Sequence, residues 1–390
     1  MAAVLVALLA VVQIVRPVPD PTLKLAVATS QTFPGSTPQL PWPSTGEAAL
    51  DVDGLGTLGS SGTEIPTPTA SVAKVMTAYV FLKNHALPEG DDGPTFTISA
   101  AEAARLPDLK ARQETHVDVV AGEEFTERKA LEALMIVSAN NIAHELARWD
   151  AGGDEAYVQK MNTTARELGM THTTYTDPSG FDSATVSTAA DQVKLLREAM
   201  RISAFAEVVN MPSYTPPHGG AVRPAGNTLL GHDSVIGGKT GFTDAAGGNY
   251  VFAARKKVGS ASALIVGAVM AQSGATTPKP AIDAARKLIE AAESSLTSIV
   301  VARKGQRVAQ VEDGLGGHTP LVATRSITVV GWPGLTVRLS VEGEPPHRAP
   351  AGEKLGALTA GSGPGRARTD LALGRPLAEP ALPDRLLRLG

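Results

Sequence analysis

Three short groups of residues have the types and spacing needed for acyl transfer: Ser71-Val72-Ala73-Lys74, Ser138-Ala139-Asn140 and Lys239-Thr240-Gly241. A serine hydroxyl is a weak nucleophile until a base takes its proton, and a lysine in a dry, cation-crowded pocket is neutral enough to do so. Lys74 follows Ser71 by about one helical turn, so amine and hydroxyl share a face. The turn-forming Thr67-Pro68-Thr69 sets Ser71 at or beside a helix N-terminus, whose N–H groups can face an anion developing on a substrate. Taken alone, Ser-x-x-Lys is weak evidence, because it also describes an N-cap serine followed by a solvated lysine.

The downstream groups change the weight of the first. Ser138 and Asn140 fall where a helical pattern is interrupted, so a hydroxyl and a carboxamide are offered at a helix–helix turn. Ser138 can relay a proton to a leaving amine, and Asn140 can orient Lys74 or a substrate amide. Lys239 and Thr240 read as a strand edge able to grip a carboxylate, with Gly241 removing a side chain where a peptide would lie. A second cation in the pocket also lowers the proton affinity of Lys74.

Composition narrows the remaining classes. At 390 residues, 43% apolar and 19% charged, the chain can hold two or three folded domains. A net charge of −4 without a basic, aromatic-interleaved patch gives no reason to expect nucleic acid. There is no cysteine, and the eight histidines are scattered, so neither thiolate sites nor a histidine-based metal site is expected, and no cofactor is implied.

The elements that must position the three groups are legible in part. Ala2–Val15 is an apolar run closed by Arg16-Pro17, too short to span a bilayer and suited to a signal or anchor segment (1–16), with Ala26-Val27-Ala28 as a small-x-small cleavage site. No Lys or Arg precedes it, so the expectation is that the native chain begins further upstream; a buried N-terminal helix is the alternative. Residues 17–40, rich in Pro, Ser and Thr, read as an extended linker. A strand or hairpin is expected over Ala48–Leu58, a helix over Ser71–Asn84 and a short strand over Thr95–Ile98. Glu123–Trp149 reads as helical in two pieces, followed by helices over Asp154–Leu168 and from Thr188 to about Arg201, with a loop at Thr171–Ser183. Gly248–Arg255 and Ser262–Met270 form a strand pair, and Ala281–Ala292 is an amphipathic helix. From Ser298 short β runs alternate with glycine turns; Leu371, Leu373 and Leu386-Leu387 are left as edge strands or disorder. The expected division is a domain over 41–295 and a β-rich domain with a Gly/Pro/Arg-rich tail over 296–390.

With these motifs, the chain resembles the penicillin-recognising serine acyl enzymes, and among them the low-molecular-weight penicillin-binding proteins that act as D-alanyl-D-alanine carboxypeptidases. The words carrying the likeness are Ala70–Ala78, Ser138–Ala143, Met161-Asn162, Leu168-Gly169-Met170, Thr176-Asp177-Pro178-Ser179-Gly180 and Gly238–Gly241, within about Pro41–Ala292. Pro41-Trp42-Pro43 and the N-terminal tether are similar to actinobacterial members. The resemblance implies an α/β (α+β) penicillin-binding-protein and β-lactamase-like transpeptidase fold, an antiparallel sheet flanked by helices plus an all-α lobe, followed by a small all-β domain. It also implies that Ser71 attacks the penultimate D-Ala carbonyl of a peptidoglycan stem pentapeptide ending in D-Ala-D-Ala, with Ser71 and Phe242 N–H groups as oxyanion hole. β-Lactams would be covalent inhibitors, and the location extracytoplasmic, tethered to the membrane through the N-terminal segment or secreted to the wall. Two departures, Ala139 where many relatives carry Gly or Asp and Phe242 where some carry His, leave substrate preference and deacylation rate open.

Two other functions share parts of the pattern. A class A-like β-lactamase would need a loop glutamate, in a Glu-x-x-Leu-Asn context, to direct water; between Ser138 and Lys239 only Glu145, Glu155, Glu167, Glu198 and Glu207 occur, none in that context. A non-catalytic penicillin-binding sensor is disfavoured by the intact Ser71, Lys74 and Lys239. Asn141 reads as a helix-start residue, Asp177 and Ser179 as loop-shaping, Arg223 and Asn227 as a solvated loop. His144, His172 and His232 read as structural or exposed, and Trp149 as packing.

Overall fold

The helix Lys74–Asn84 is apolar on nearly every side and buries each residue from Lys74 to Leu82, a pattern only a helix enclosed by other elements can satisfy. In the computed structural model, which describes residues 11–259, 261–274, 276–361 and 366–386, it is the axis of the larger of two units. That unit comprises Gln39–Lys257 and Ser262–Ser294.

Its sheet has five strands in the order Val235–Thr243, Gly247–Val258, Ala261–Gln272, Glu47–Val52 and Gly56–Ser61. Val235–Thr243, which carries Lys239, is therefore an edge strand with one face of its backbone open to an incoming peptide. It pairs antiparallel with its neighbour, Lys239 opposite Val251 and Gly241 opposite Asn249. A short 3-10 turn, Ala70–Ala73, leads into the Lys74 helix and packs against this strand. Around the central helix lie Glu127–Met135, Asn140–Ala151, Asp154–Glu167 and Ala189–Ala199. The interruption at Ser138 is real, because Ser138 takes φ +65, a left-handed conformation that no helix continues through. Thr188 caps the last of these helices by accepting from Asp191 N, and Trp149 packs against Phe81 and Phe96.

Several elements have no counterpart among the expectations, among them the helix Ser203–Val209, and two bear on the site. The helix Ala100–Ala111 contains Pro107 and has little apolar periodicity, which hides it; its start is marked by Ser99, which accepts from Glu102 N. Glu124–Thr126, expected as the start of a helix, is instead a strand paired with Thr95–Thr97, because Thr126 caps the helix that follows.

The second unit joins residues up to Pro38, Val258–Ala261 and Ser295–Gly390. Here the expected linker over 17–40 is overturned. Thr22–Leu25 pairs antiparallel with Arg307–Glu312, and Ser30–Thr32 with Thr336–Glu342, so this stretch supplies both outer strands of a seven-stranded sheet. Half-burial of Leu23 and Leu25 against the sheet's core outweighs the Pro/Ser/Thr composition. The tail is corrected as well: Ala367–Leu373 is a strand, but it lies between His318–Ala323 and Lys354–Ala360, inside the sheet, and Leu386 belongs to a short helix, Leu382–Leu386, while Leu387 lies outside the described residues. Most of the expected anchor segment, residues 1–10, lies outside the described residues; among the described residues no helix is long and apolar enough to cross a membrane.

Candidate active site

Ser71, Lys74, Ser138, Asn140 and Lys239 come from a 3-10 turn, a helix, a turn, a second helix and a strand, and meet in one crevice. Lys74 Nζ donates to Ser71 Oγ at 2.9 Å, to Asn140 Oδ1 at 2.6 Å and to the Ser179 carbonyl at 2.7 Å. Its three ammonium donors are thus all matched. Loss of one proton leaves two N–H bonds for the fixed acceptors Asn140 and Ser179, and turns the lone pair toward Ser71. Lys74 is fully buried, and its proton affinity is held well below that of an ordinary lysine, first by desolvation and next by the neighbouring Lys239 charge.

Lys239 is 3% exposed, and burial lowers its pKa to about 7. Its Nζ donates to Ser138 Oγ at 3.0 Å and to the Thr240 carbonyl at 2.8 Å, so Ser138 stands in contact with the second cation. Beside it a cavity of about 260 Å³ is lined by Ser138, Arg223, Asn227, Lys239 and Thr240 among others. Thr240 is half-buried, and Phe242 follows Gly241 on the same strand. A Cβ on Gly241 would lie 3.0 Å from the backbone nitrogens of both Ser71 and Val72. The strand therefore runs as close to the nucleophile's amides as a residue without a side chain allows.

Backbone strain collects here. Ala70, directly before Ser71, has φ +46 and Ser138 has φ +65. Gly180, at φ +76, touches the same turn, for a Cβ there would stand 1.9 Å from the Ala70 carbonyl oxygen. The loop that brings it is shaped by Asp177, whose carboxylate accepts from Ser179 N, Ser179 Oγ, Phe181 N and Thr185 Oγ1. That turn presents the Ser179 carbonyl to Lys74, a contact with no side-chain signature in the sequence.

Asn141 is held apart from the nucleophile, bonded to both backbone groups of Val117. Arg223 donates to the His116 carbonyl at 2.7 Å. Asn227, expected in a solvated loop, is 9% exposed and accepts from the Tyr250 hydroxyl at 2.7 Å, an anchor that a loop-rich local sequence conceals. Glu114 is the residue missed altogether: it is buried and accepts from Asn140 Nδ2 at 2.8 Å. No motif marks it, and the helix that delivers it was not expected. Among the described residues no cluster of His, Cys, Asp or Glu could hold a metal ion.

A family model described as D-alanyl-D-alanine carboxypeptidase, peptidase S11, matches residues 51–270. The chain belongs to that family. The S11 match spans the serine–lysine turn, the Ser138–Asn140 turn and the Lys239 strand. A D-alanyl-D-alanine carboxypeptidase of Mycobacterium tuberculosis, DacB2, is 34% identical over 228 residues, 57% of this chain and 74% of that protein. A D-alanyl-D-alanine endopeptidase of Escherichia coli is 27% identical over 232 residues, 56% of this chain and 70% of that protein. In fold, the chain is similar to penicillin binding protein 5 of Haemophilus influenzae, with a TM-score of 0.61, 88% of this chain and 100% of that one covered, and 19% identity. The architecture is that of the penicillin-binding DD-peptidases, helices around an antiparallel sheet, with a β-rich C-terminal region.

Proposed function

We propose that this S11 peptidase is a serine D-Ala-D-Ala carboxypeptidase that trims the terminal D-alanine from peptidoglycan stem pentapeptides, and that β-lactams acylate it at Ser71. The observation that carries the reading is the orientation of Lys74: two fixed acceptors hold its amine so that the remaining position faces Ser71 Oγ at 2.9 Å. Ser71 Oγ attacks the penultimate D-Ala carbonyl carbon and its proton passes to Lys74. The carbonyl oxygen becomes an oxyanion received by the N–H groups of Ser71 and Phe242. Ser138 relays to the departing D-Ala nitrogen, as the C–N bond breaks, the proton that Lys74 took from Ser71, so that Ser138 ends neutral and Lys74 is again free to act as base. Lys239 and Thr240 hold the terminal carboxylate, and water then hydrolyses the ester. Asn140 orients Lys74.

The endopeptidase among the relatives cleaves at an internal position by its name. Preference for a carboxy-terminal residue here is supported by Lys239, a buried cation suited to a free carboxylate. A β-lactamase reading gains no support from the glutamates. Glu145 is engaged by Ser99 and Arg148, Glu198 by Arg201 and Glu207 by Arg128. An extracytoplasmic location follows from the substrate and is part of the proposal.

The test is D-Ala release from a diacetylated tripeptide ending in two D-Ala. Wild type should release it, and Ser71→Ala should not. Release that survives Ser71→Ala, or the absence of a penicillin adduct on Ser71 by mass, would exclude the mechanism.

A further inference from the structure

The helix Ala100–Ala111 ends in a sharp turn. Arg112 closes it and Gln113 takes φ +56, a left-handed conformation that swings Glu114 inward. Glu114 is 4% exposed. Its Oε2 accepts from Asn140 Nδ2 at 2.8 Å, and its Oε1 lies 2.5 Å from the Arg112 guanidinium, an ion-pair contact without the alignment of a hydrogen bond. The segment is tied to the Asn140 turn along its backbone too: Asn140 N donates to Thr115 O at 2.8 Å, and Asn141 brackets Val117. The Arg112 guanidinium lies over the Phe181 ring, 5.5 Å from its centroid.

A carboxamide is nearly symmetric in shape, so sterics alone do not decide which end of Asn140 meets Lys74. Charge does. With Oδ1 toward Lys74 and Nδ2 toward Glu114, both contacts are attractive. Reversed, an N–H group would face the ammonium and an oxygen would face the carboxylate, both buried and both repulsive. We propose that Glu114 is a positioning residue for the Ser71–Lys74 pair: it locks the Asn140 carboxamide with its oxygen on Lys74, while Arg112 offsets the charge this brings into the site. The inference rests on the acyl-enzyme reading of Ser71.

The charges facing Lys74 are Lys239, Asp177 and Glu114, of which the two carboxylates favour its protonated form. Asp177 is occupied by its own loop, through Ser179 and Thr185, leaving Glu114 as the carboxylate that reaches Lys74 through a single amide. Removing the Glu114 charge should ease deprotonation of Lys74, and removing Arg112 should oppose it. Two substitutions on one ion pair are thus expected to move the acid limb of the reaction in opposite directions. A role confined to holding the fold would not do this.

The full chain is titrated with a fluorescent penicillin, and the second-order rate of acylation is followed against pH for wild type, Glu114→Gln and Arg112→Gln. Glu114→Gln should lower the plateau rate about tenfold, through lost orientation, and displace the acid limb to lower pH by about one pH unit. Arg112→Gln, at a half-exposed side chain, should displace it to higher pH. Limbs that coincide with wild type in both variants, or that move in the same direction, would overturn the proposal. If circular dichroism shows that Glu114→Gln does not fold, Arg112→Gln decides: an upward displacement supports the lock and an unmoved limb overturns it. No adduct on wild type would remove the acyl-enzyme reading and this inference with it, whereas a wild-type adduct with unmoved variant limbs would remove this inference alone.

Discussion

Lys239 donates to Ser138 Oγ across 3.0 Å, joining the edge strand to a turn 101 residues earlier in the chain. In the proposed mechanism this contact couples a proton relay to a carboxylate grip: a substrate carboxylate that engages Lys239 would also adjust the hydrogen bonding of Ser138.

Ser138→Ala should therefore depress acylation by about 100-fold or more, the usual range for loss of a positioned proton donor, while leaving the fold intact. Stopped-flow acylation with penicillin, beside a melting curve, checks both halves. Since Ser138 also holds a left-handed φ, the melting temperature should change little; Ala and Ser tolerate that conformation equally poorly.

The alkaline limb should belong to Lys239. Burial lowers its pKa to about 7, so in the free enzyme the cation is present below that pH and lost above it. Recognition of a carboxylate then weakens as pH rises through about 7, and KM rises. A bound carboxylate favours the charged lysine, so kcat should be spared in the same interval. A substrate whose terminal carboxyl is amidated should show no such limb, and steady-state kinetics from pH 6 to 9 would reveal one if the assignment is wrong.

Gly241→Ala should impair chemistry more than stability. The added carbon would press at 3.0 Å on the Ser71 and Val72 nitrogens, which are backbone atoms with little freedom to yield. The strand must retreat from the turn, and the distance between the two proposed oxyanion donors grows with it. A loss of about 100-fold in kcat/KM, with near-normal unfolding in urea, is expected.

Glu47, which none of the proposed catalytic roles uses, gives a stability prediction. It is buried, and desolvation raises its pKa from 4.5 to about 7 although it accepts from Ala189 N at 2.6 Å. The folded state binds its proton more tightly than the unfolded state, so stability on this account is full below about pH 4.5 and falls as pH rises through 7. Glu47→Gln, which keeps the acceptor and discards the charge, should match wild type at pH 4 and exceed it by about 1–3 kcal/mol at pH 8. Chemical denaturation at the two pH values would expose any difference of opposite sign.

The three motif groups were legible because each carries side-chain chemistry in a local pattern: a helix start, an interrupted helix, a glycine-relieved strand. What escaped was delivered by backbone. The Ser179 carbonyl on Lys74 depends on a turn wound around Asp177, and nothing in the residue type of Ser179 announces it. Glu114 depends on a helix whose Pro107 and weak periodicity argue against a helix at all. The strands Thr22–Leu25 and Ser30–Thr32 were hidden for another reason: four or three residues are too few for alternation to stand out, and their partners lie near the opposite end of the chain.

Those two strands impose an order on biosynthesis. The ribosome releases Thr22 long before Glu312, and Ser30 long before Thr336, so the outer edges of the seven-stranded sheet must wait unpaired while about three hundred residues are made. A clone that starts at the peptidase boundary, or a β module expressed from residue 296, would lack those two flanking segments and present raw ladder groups to its neighbours, a recipe for self-association.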